Sequence, residues 1–254
     1  MTLESLPAAR DVPTVTAAQM AEADRVATKE LGVPLDALME SAAHQIASAA
    51  RAFLGGDVEG KLVAAIVGSG NNGGDALAAL RHLAGWGAEV DAYIAESDRL
   101  HPLAQLQYDI LARLGLALYD ATTIDDRFLA HRLSGRHVIL DGLLGYSTTG
   151  APRGQIERLI RVANVAGANA PVIAVDLPSG LDPDTGATLG PEAIRAALTV
   201  TLALPKAGLT RPNARAAVGQ LLLADIGIPA KAYEAFGIDA HAVFAPGDLV
   251  RIIL

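Results

Sequence analysis

Three segments of the chain place oxygen-bearing side chains beside glycines where apolar runs end. Residues 67–75 read VGSGNNGGD, HVILD ends at Asp141 before a loop rich in glycine and hydroxyl groups, and VIAVD ends at Asp176 before LPSG. Glycines let a backbone approach a phosphate, while carboxylates can move protons or hold a cation. Parallel α/β sheets bind ligands at the carboxyl ends of their strands, so we expect these segments to form one site.

The first segment, residues 67–75, supports two interpretations. Its glycines match G-x-G-x-x-G between an apolar run and a helical pattern, and Glu96 follows at the end of the next apolar run, as in dinucleotide-binding sites. Asp75, expected in the first turn of the helix, would compete with a phosphate for the positive end of the helix dipole. The alternative is a tight turn with an aspartate cap, since Asn, Gly and Asp all have ordinary turn-forming roles.

A cation site is the second possibility at these strand ends. Oxygens of Asn72, Asp141 and Ser179, with loop carbonyls, would form a hard-cation site that carries a single negative charge. One carboxylate among neutral oxygens favours a monovalent ion over Mg²⁺ or Ca²⁺. The six histidines are scattered without metal-ligand spacing, which argues against a transition metal. Each aspartate alone could equally be a helix cap or a turn residue.

Lys206 is a further candidate because it follows the apolar run LTVTLAL in the segment LPKAGL. A lysine just past a buried strand can be a phosphate ligand or an acid–base partner. The alternative is a solvated lysine at a strand end, since most lysines are exposed.

Apolar runs of strand length alternate with amphipathic stretches of helix length, which predicts a parallel sheet covered by helices. The predicted strands are residues 62–67, 88–95, 115–119, 137–141, 171–176, 198–204 and 218–226. The predicted helices between them are residues 75–86, 102–114, 124–133, 152–166 and 191–197.

Two further helices are predicted before the first long strand. The first begins after Thr16, which has Gln19 in capping-box spacing, and extends to about residue 30; the second covers about residues 34–53. Residues 1–13 are the candidate disordered extension. The length of 254 residues suits one domain over residues 1–254.

Composition excludes several classes of protein. The absence of cysteine excludes disulfides, thiolate metal sites and a cysteine nucleophile. The net charge of −8 and the 4% aromatic content argue against nucleic acid as a partner. No charge-free stretch is long enough for a membrane span, and the N-terminus has no signal-peptide pattern, so we expect a cytoplasmic protein.

The motifs resemble the YjeF N-terminal domain family, the NAD(P)H-hydrate epimerases, over roughly residues 14–226. The matching segments are TAAQMAEADRVATKELGVPLDALME, GSGNNGGDALAALRHL, VILDGLLGYSTTG, VIAVDLPSGLDPDTG and TVTLALPKAGL. The resemblance implies a Rossmann-like three-layer α/β/α sandwich with a mostly parallel sheet, usually homodimeric. The implied reaction interconverts the R and S forms of NADHX and NADPHX, the hydrates of reduced nicotinamide cofactors, so that a separate S-specific dehydratase can restore the cofactor.

The resemblance also assigns residues. Its potassium ligands fall on the same three oxygens grouped above, those of Asn72, Asp141 and Ser179. Its substrate contacts fall on two loops and one aspartate, namely Asn71, Asn72, Gly73, Gly74 and Asp75, then Gly145, Tyr146, Ser147, Thr148, Thr149, Gly150 and Ala151, and Asp176. We predict Asp176 as the catalytic acid/base and Lys206 as its electrostatic helper.

Two departures from the family pattern leave alternatives open. Ser41 stands where the family commonly has asparagine, and Ala76 where it commonly has glycine. A non-catalytic binding module of the same fold is therefore one rival, although a scaffold has no need for oxygen ligands at three strand ends. An NAD-dependent oxidoreductase is the other, but no proton-donating His or Tyr-x-x-x-Lys lies near a strand end.

Overall fold

A computed structural model describes residues 1–254, and nine strands form one sheet. Across the sheet their order is β1-β9-β8-β7-β6-β5-β2-β3-β4, and every neighbouring pair is parallel except β8 and β9. The strands are β1 (Ala8–Ala9), β2 (Leu62–Val67), β3 (Glu89–Ile94), β4 (Ala117–Asp120), β5 (Val138–Gly142), β6 (Val172–Val175), β7 (Leu198–Leu202), β8 (Gln220–Ala224) and β9 (Leu249–Ile252).

The helices cover both faces of the sheet. They are α1 (Ala17–Arg25), α2 (Leu35–Phe53), α3 (Asn71–Gly85), α4 (Pro102–Arg113), α5 (Asp126–Ser134), α6 (Gly154–Ala166), α7 (Arg215–Val218) and α8 (Ala240–Phe244). Helix α1 continues as one π-helical turn, Val26–Glu30, and the predicted capping box of Thr16 and Gln19 is confirmed at its start. No helix combines the length and the apolar character needed to cross a bilayer.

The layers follow from strand β2, whose sequence LVAAIV is apolar throughout. Val63 and Ala65 belong to the core beneath α2 and α3, whereas Ala64 and Ile66 belong to the core beneath α5 and α6. Side chains of a strand alternate between faces, so a continuous apolar run is what a strand buried on both faces requires. The α/β/α sandwich with a mostly parallel sheet, predicted from the sequence, is confirmed.

The helix predicted at residues 191–197 is wrong. This segment has no helix and leads without regular secondary structure into β7. Its amides donate outside the segment: Ile194 N–H to the Ser179 carbonyl at 2.9 Å and Ala197 N–H to the Val172 carbonyl at 2.8 Å. Contacts with distant residues have replaced the local helical bonds, and they override the helix propensity of an alanine-rich stretch.

Residues 1–13 and the C-terminal segment pair with each other. Arg251 N–H donates to the Pro7 carbonyl at 2.8 Å and Ile253 N–H to the Ala9 carbonyl at 3.0 Å, while Leu3 and Leu6 are buried. In the structure residues 1–13 thus pack against the C-terminal strand, where the sequence favoured a disordered extension. Strand β9 was missed in the sequence because this pairing joins opposite ends of the chain.

The start of α3 also differs from the prediction. The helix begins at Asn71, four residues before the predicted start, so NNGG forms its first turn and Asp75 is its fifth residue. The expectation that Asp75 occupies the first turn is thus wrong. Glycines at the start of the helix concealed it, because glycine has low helix propensity.

Candidate active site

A cavity of about 380 Å³ lies at the carboxyl ends of the central strands, beneath α1 and α2. Its floor and one wall come from the segments that follow β2, β5, β6 and β7, and α1 and α2 add Met20, Asp24, Leu38 and Met39. Apolar and polar groups share the lining, as in a site for a ligand with an apolar ring and polar substituents.

Two glycines hold the start of α3 against its neighbours. A Cβ on Gly68 would lie 1.9 Å from the Leu143 carbonyl oxygen, and one on Gly73 would lie 2.1 Å from the Gly68 carbonyl oxygen. Only glycine allows the loops after β2 and β5 to approach so closely. This packing brings the first turn of α3 to the cavity edge, where the N–H groups of residues 71–73 have no acceptor in the protein. Such a helix N-terminus can bind an anion.

Asp176 and Lys206 form a buried ion pair, and both residues line the cavity. The Lys206 ammonium donates to Oδ1 of Asp176 and, at 2.9 Å, to the Leu202 carbonyl. Leu202 N–H also donates to Oδ1 of Asp176, at 3.2 Å. Asp176 is 4% exposed and Lys206 only 1%. Oδ2 of Asp176 receives no hydrogen bond from the protein, so one oxygen of a charge-paired carboxylate is available to a ligand.

The backbone of Asp176 is strained, with φ at +69°, just past the last residue of β6. A non-glycine residue in this left-handed region costs of order 1–3 kcal/mol and persists where surrounding contacts enforce it. Here Asp176 N–H donates to the Val200 carbonyl at 2.9 Å, which fixes the turn. The turn directs the carboxylate toward Lys206, and it accounts for the aspartate that ends the VIAVD run.

Asp24 and Tyr146 form a second pair at the cavity, and sequence reasoning missed Asp24. The Tyr146 hydroxyl donates to Oδ2 of Asp24, and the Tyr146 ring centre lies 5.3 Å from Nζ of Lys206. Burial raises the pKa of Asp24, and the hydrogen bond from Tyr146 opposes that rise. Burial and the nearby Asp24 charge raise the pKa of Tyr146. The available signal was the position of Asp24 four residues after Met20, on the inner face of α1.

Asp75 reaches the same cavity from α3. It is 8% exposed, and no side chain or amide of the protein donates a hydrogen bond to it. Burial raises its pKa well above the ordinary value, and the charges of Asp176 and Asp24 act in the same direction. Lys206 opposes these effects.

Asn72, Asp141 and Ser179 lie together under the loop that follows β5. Ser179 donates to Asp141 through its hydroxyl at 2.7 Å and its N–H at 2.8 Å, and Asn72 Nδ2 donates to the Leu144 carbonyl at 2.9 Å. Asp141 is fully buried and has no lysine or arginine partner. Burial raises its pKa to about 6 against the lowering effect of the Ser179 hydrogen bonds. A buried carboxylate without a protein cation, beside neutral oxygens, is a donor set that fits a monovalent cation.

The structure separates the site residues predicted from the sequence into three groups. Those that line the cavity are Asn71, Asn72, Asp75, Gly145, Tyr146, Ser147, Thr148, Asp176 and Lys206. Gly73, Gly74, Asp141 and Ser179 lie in the packed layer behind the lining. Thr149, Gly150 and Ala151 continue the loop outside it.

The two departures from the family pattern fall outside the cavity lining. Ser41 is exposed on α2 next to Ala42, which does line the cavity. Ala76 is buried, and a Cβ on Gly142 would lie 2.5 Å from the Ala76 Cβ, so Ala76 packs against the end of β5.

Comparison with known proteins gives one family match and several relatives. The family model described as YjeF-related protein N-terminus matches residues 35–208. The NAD(P)H-hydrate epimerase of Dehalogenimonas lykanthroporepellens is 36% identical over 95% of this chain and 93% of its own length. The bifunctional NAD(P)H-hydrate repair enzyme Nnr of Moorella thermoacetica is 36% identical over 85% of this chain. The match spans only 41% of that bifunctional enzyme.

Among solved structures, the crystal structure of yeast ynu0 superposes with a TM-score of 0.80 at 23% identity. The match covers 94% of this chain and 100% of the yeast chain. At that level of identity the superposition establishes the shared fold.

Proposed function

The chain belongs to the family of YjeF-related protein N-terminus domains, and from this premise we propose that it is an NAD(P)H-hydrate epimerase. The proposed reaction interconverts the R and S forms of NADHX and NADPHX. An S-specific dehydratase would then return the cofactor to its reduced form.

The buried pair of Asp176 and Lys206 supports the proposal most directly. In the hydrate, a hydroxyl is attached to the ring carbon beside the ring nitrogen, so inversion requires that C–O bond to break and form again on the opposite face. A carboxylate that moves a proton is sufficient for this, and no electron transfer occurs. Asp176 has the free oxygen for that role, and Lys206 holds the carboxylate in place and balances its charge.

Substrate binding is proposed to rest on backbone groups more than on basic side chains. The cavity contains a single lysine and no arginine. The free N–H groups at the start of α3 can bind the pyrophosphate of the dinucleotide without a basic patch. The loop of residues 145–151, of which residues 145–148 line the cavity, would contact the remainder of the substrate.

We further propose that Asn72, Asp141 and Ser179 hold a potassium ion. Bound there, the ion would neutralise the buried Asp141 and tie the loop after β5 to the turn after β6. The chemistry it supplies is electrostatic and organisational. Ser179 already links these loops, because Leu144 N–H donates to its hydroxyl at 2.9 Å.

The potassium proposal predicts a thermal shift. At about ten times its dissociation constant, K⁺ should stabilise the folded chain by ~1.4 kcal/mol, which corresponds to a rise in Tm of about 3–5 °C. Scanning calorimetry in KCl against choline chloride of equal ionic strength measures the difference. The Asp141→Asn variant should show no difference between the two salts. An equal Tm of the wild-type protein in both salts would contradict the ion site.

The proposal also covers the oligomeric state, the cellular location and the domain bounds of the protein. The family resemblance supports a homodimer, and the absence of cysteine together with a cofactor-derived substrate supports the cytoplasm. One domain over residues 1–254 is proposed because strands from both ends of the chain, β1 and β9, complete the same sheet.

The test of the function is a coupled assay. A mixture of R- and S-NADHX is incubated with an S-specific dehydratase, with and without the protein. We expect complete consumption of both epimers with the protein, and persistence of the R epimer, apart from its slow spontaneous inversion, without it. If the R epimer persists in both reactions, the epimerase proposal fails and the binding-module alternative is favoured.

A further inference from the structure

Asp75 is the carboxylate of the cavity that the protein leaves unsatisfied. Four carboxylates line the cavity, namely Asp24, Asp75, Glu96 and Asp176. Asp176 is paired with Lys206, Asp24 accepts from Tyr146, and Glu96 lies 3.9 Å from an arginine nitrogen. Asp75 has neither a donor nor a cation, although it is almost fully buried. An ionised carboxylate in that position would be far more costly than a neutral carboxylic acid.

The charges around Asp75 also favour its neutral form. Asp176 and Asp24 raise the pKa of Asp75 in addition to the effect of burial, and Lys206, which opposes them, is already bound to Asp176. The remaining titratable side chains of the cavity are Glu96, His101 and Tyr146. Among its carboxyl groups, the cavity therefore holds one that is paired with a lysine, Asp176, and one whose surroundings favour the neutral form, Asp75. Two carboxyl groups that differ in this way can act as base and acid on a single bond.

The two groups approach the cavity from different strands. Asp176 follows β6 and Asp75 lies on the helix that follows β2, with β5 between these strands. The ends of β2 and β6 are thus two strand spacings apart, roughly 10 Å. The fold thus brings the two carboxyl groups into one cavity from separate strands. Inverting glycosidases use the same principle, in which an acid and a base act from opposite sides of one carbon.

We propose that Asp75 is the general acid of the epimerisation and acts together with Asp176 as the general base. This inference rests on the proposed epimerase function. It assigns the two halves of the reaction to two carboxyl groups with different surroundings, one paired with a lysine and one without a partner.

In the first half of the reaction, the Asp75 carboxyl group gives its proton to the hydroxyl oxygen of the hydrate. The C–O bond breaks, its electron pair leaves with the oxygen as water, and the lone pair of the ring nitrogen forms a C=N⁺ iminium. In the second half, a water molecule attacks the opposite face of that carbon and the iminium π pair returns to nitrogen. Asp176 accepts the proton of the attacking water. The net change is one inverted centre and one proton moved from Asp75 to Asp176, which solvent then redistributes.

The test compares the wild-type protein with Asp75→Asn and Asp75→Glu. Asparagine keeps the size of the side chain but has no proton to transfer, so kcat for R-NADHX should fall about 100- to 10,000-fold with KM within about threefold of the wild-type value. Asp75→Glu retains an acid and should recover part of kcat. The matched control is Asp125→Asn, outside the cavity, because Asp125 caps α5 and asparagine caps helices equally well. This control should retain wild-type kcat.

The pH dependence gives a second readout. Ionisation of Asp75 should produce an alkaline limb in kcat/KM of the wild-type protein, and Asp75→Asn should lack this limb. Stability changes too: a raised carboxyl pKa means that the free energy of unfolding falls as pH rises from about 4, the unfolded value, toward the folded value. In Asp75→Asn this decrease should be smaller. Urea unfolding at several pH values measures it and also shows whether the variant folds.

The outcomes separate this inference from the function on which it rests. If the wild-type protein shows no epimerisation, the proposed function itself fails. If the wild-type protein is active and Asp75→Asn retains kcat while KM rises, Asp75 only binds substrate and the acid assignment is overturned. A folded Asp75→Asn protein with low kcat, unchanged KM and no alkaline limb supports it.

Discussion

The Asp176→Asn protein is expected to lose about 100- to 10,000-fold in kcat for the epimerisation of R-NADHX. Asparagine preserves the shape of the side chain and can still accept from Leu202 N–H through its amide oxygen. It cannot take up a proton at the oxygen that faces the cavity, and it leaves Lys206 without its counter-charge. Initial rates with a coupled S-specific dehydratase in excess give kcat and KM separately.

The matched control for this variant is again Asp125→Asn, which makes the same chemical change away from the cavity. Circular dichroism and the urea midpoint establish that Asp176→Asn is folded before rates are compared. Near-normal kcat in folded Asp176→Asn would remove Asp176 from the chemistry and leave it a structural role in the turn after β6.

The Lys206→Met protein is expected to lose about 3–5 kcal/mol in the free energy of unfolding. Lys206 is 1% exposed and donates to Asp176 and the Leu202 carbonyl. Its removal therefore leaves the buried Asp176 carboxylate without a counter-charge. Methionine fills most of the volume of the lysine stem, which keeps a cavity from dominating the result. Urea unfolding followed by circular dichroism at neutral pH measures the loss.

A double variant isolates the ion pair from other effects of the substitution. Asp176→Asn/Lys206→Met removes both charges and should be more stable than Lys206→Met alone. Lys231→Met, at an exposed position, serves as the control and should change stability by no more than about 0.5 kcal/mol. A Lys206→Met protein as stable as this control would show that the pair contributes little to the fold.

Much of the architecture could be predicted because its signals are local. Continuous apolar runs such as LVAAIV identified the central parallel strands, and the Thr16 capping box identified the start of α1. The aspartates that end VILD and VIAVD, and the glycines of residues 67–75, placed the site at the strand ends. Each signal depends on a few adjacent residues whose periodicity or turn chemistry admits few alternatives.

The errors arose where distant contacts overrode local preference. The alanine-rich segment 191–197 is not helical because its amides bond to residues far along the chain. Strands β1 and β9 pair across the full length of the sequence. Asp24 was missed because only the folded chain brings the Tyr146 hydroxyl to it.

The sequence by itself determined which chemical groups reach the carboxyl edge of the sheet: glycines, amides, three aspartates and one lysine near the strand ends. The tertiary structure decided the state of each group. Asp176 is paired with Lys206, and Asp24 accepts a hydrogen bond from the Tyr146 hydroxyl. Asp75 has no partner in the protein, and Asp141 is buried without a lysine or arginine beside it. Charge pairing and desolvation depend on neighbours that are remote in sequence, and they set the protonation of a carboxyl group. Which carboxylate is paired with a cation and which is buried alone is therefore a property of the fold.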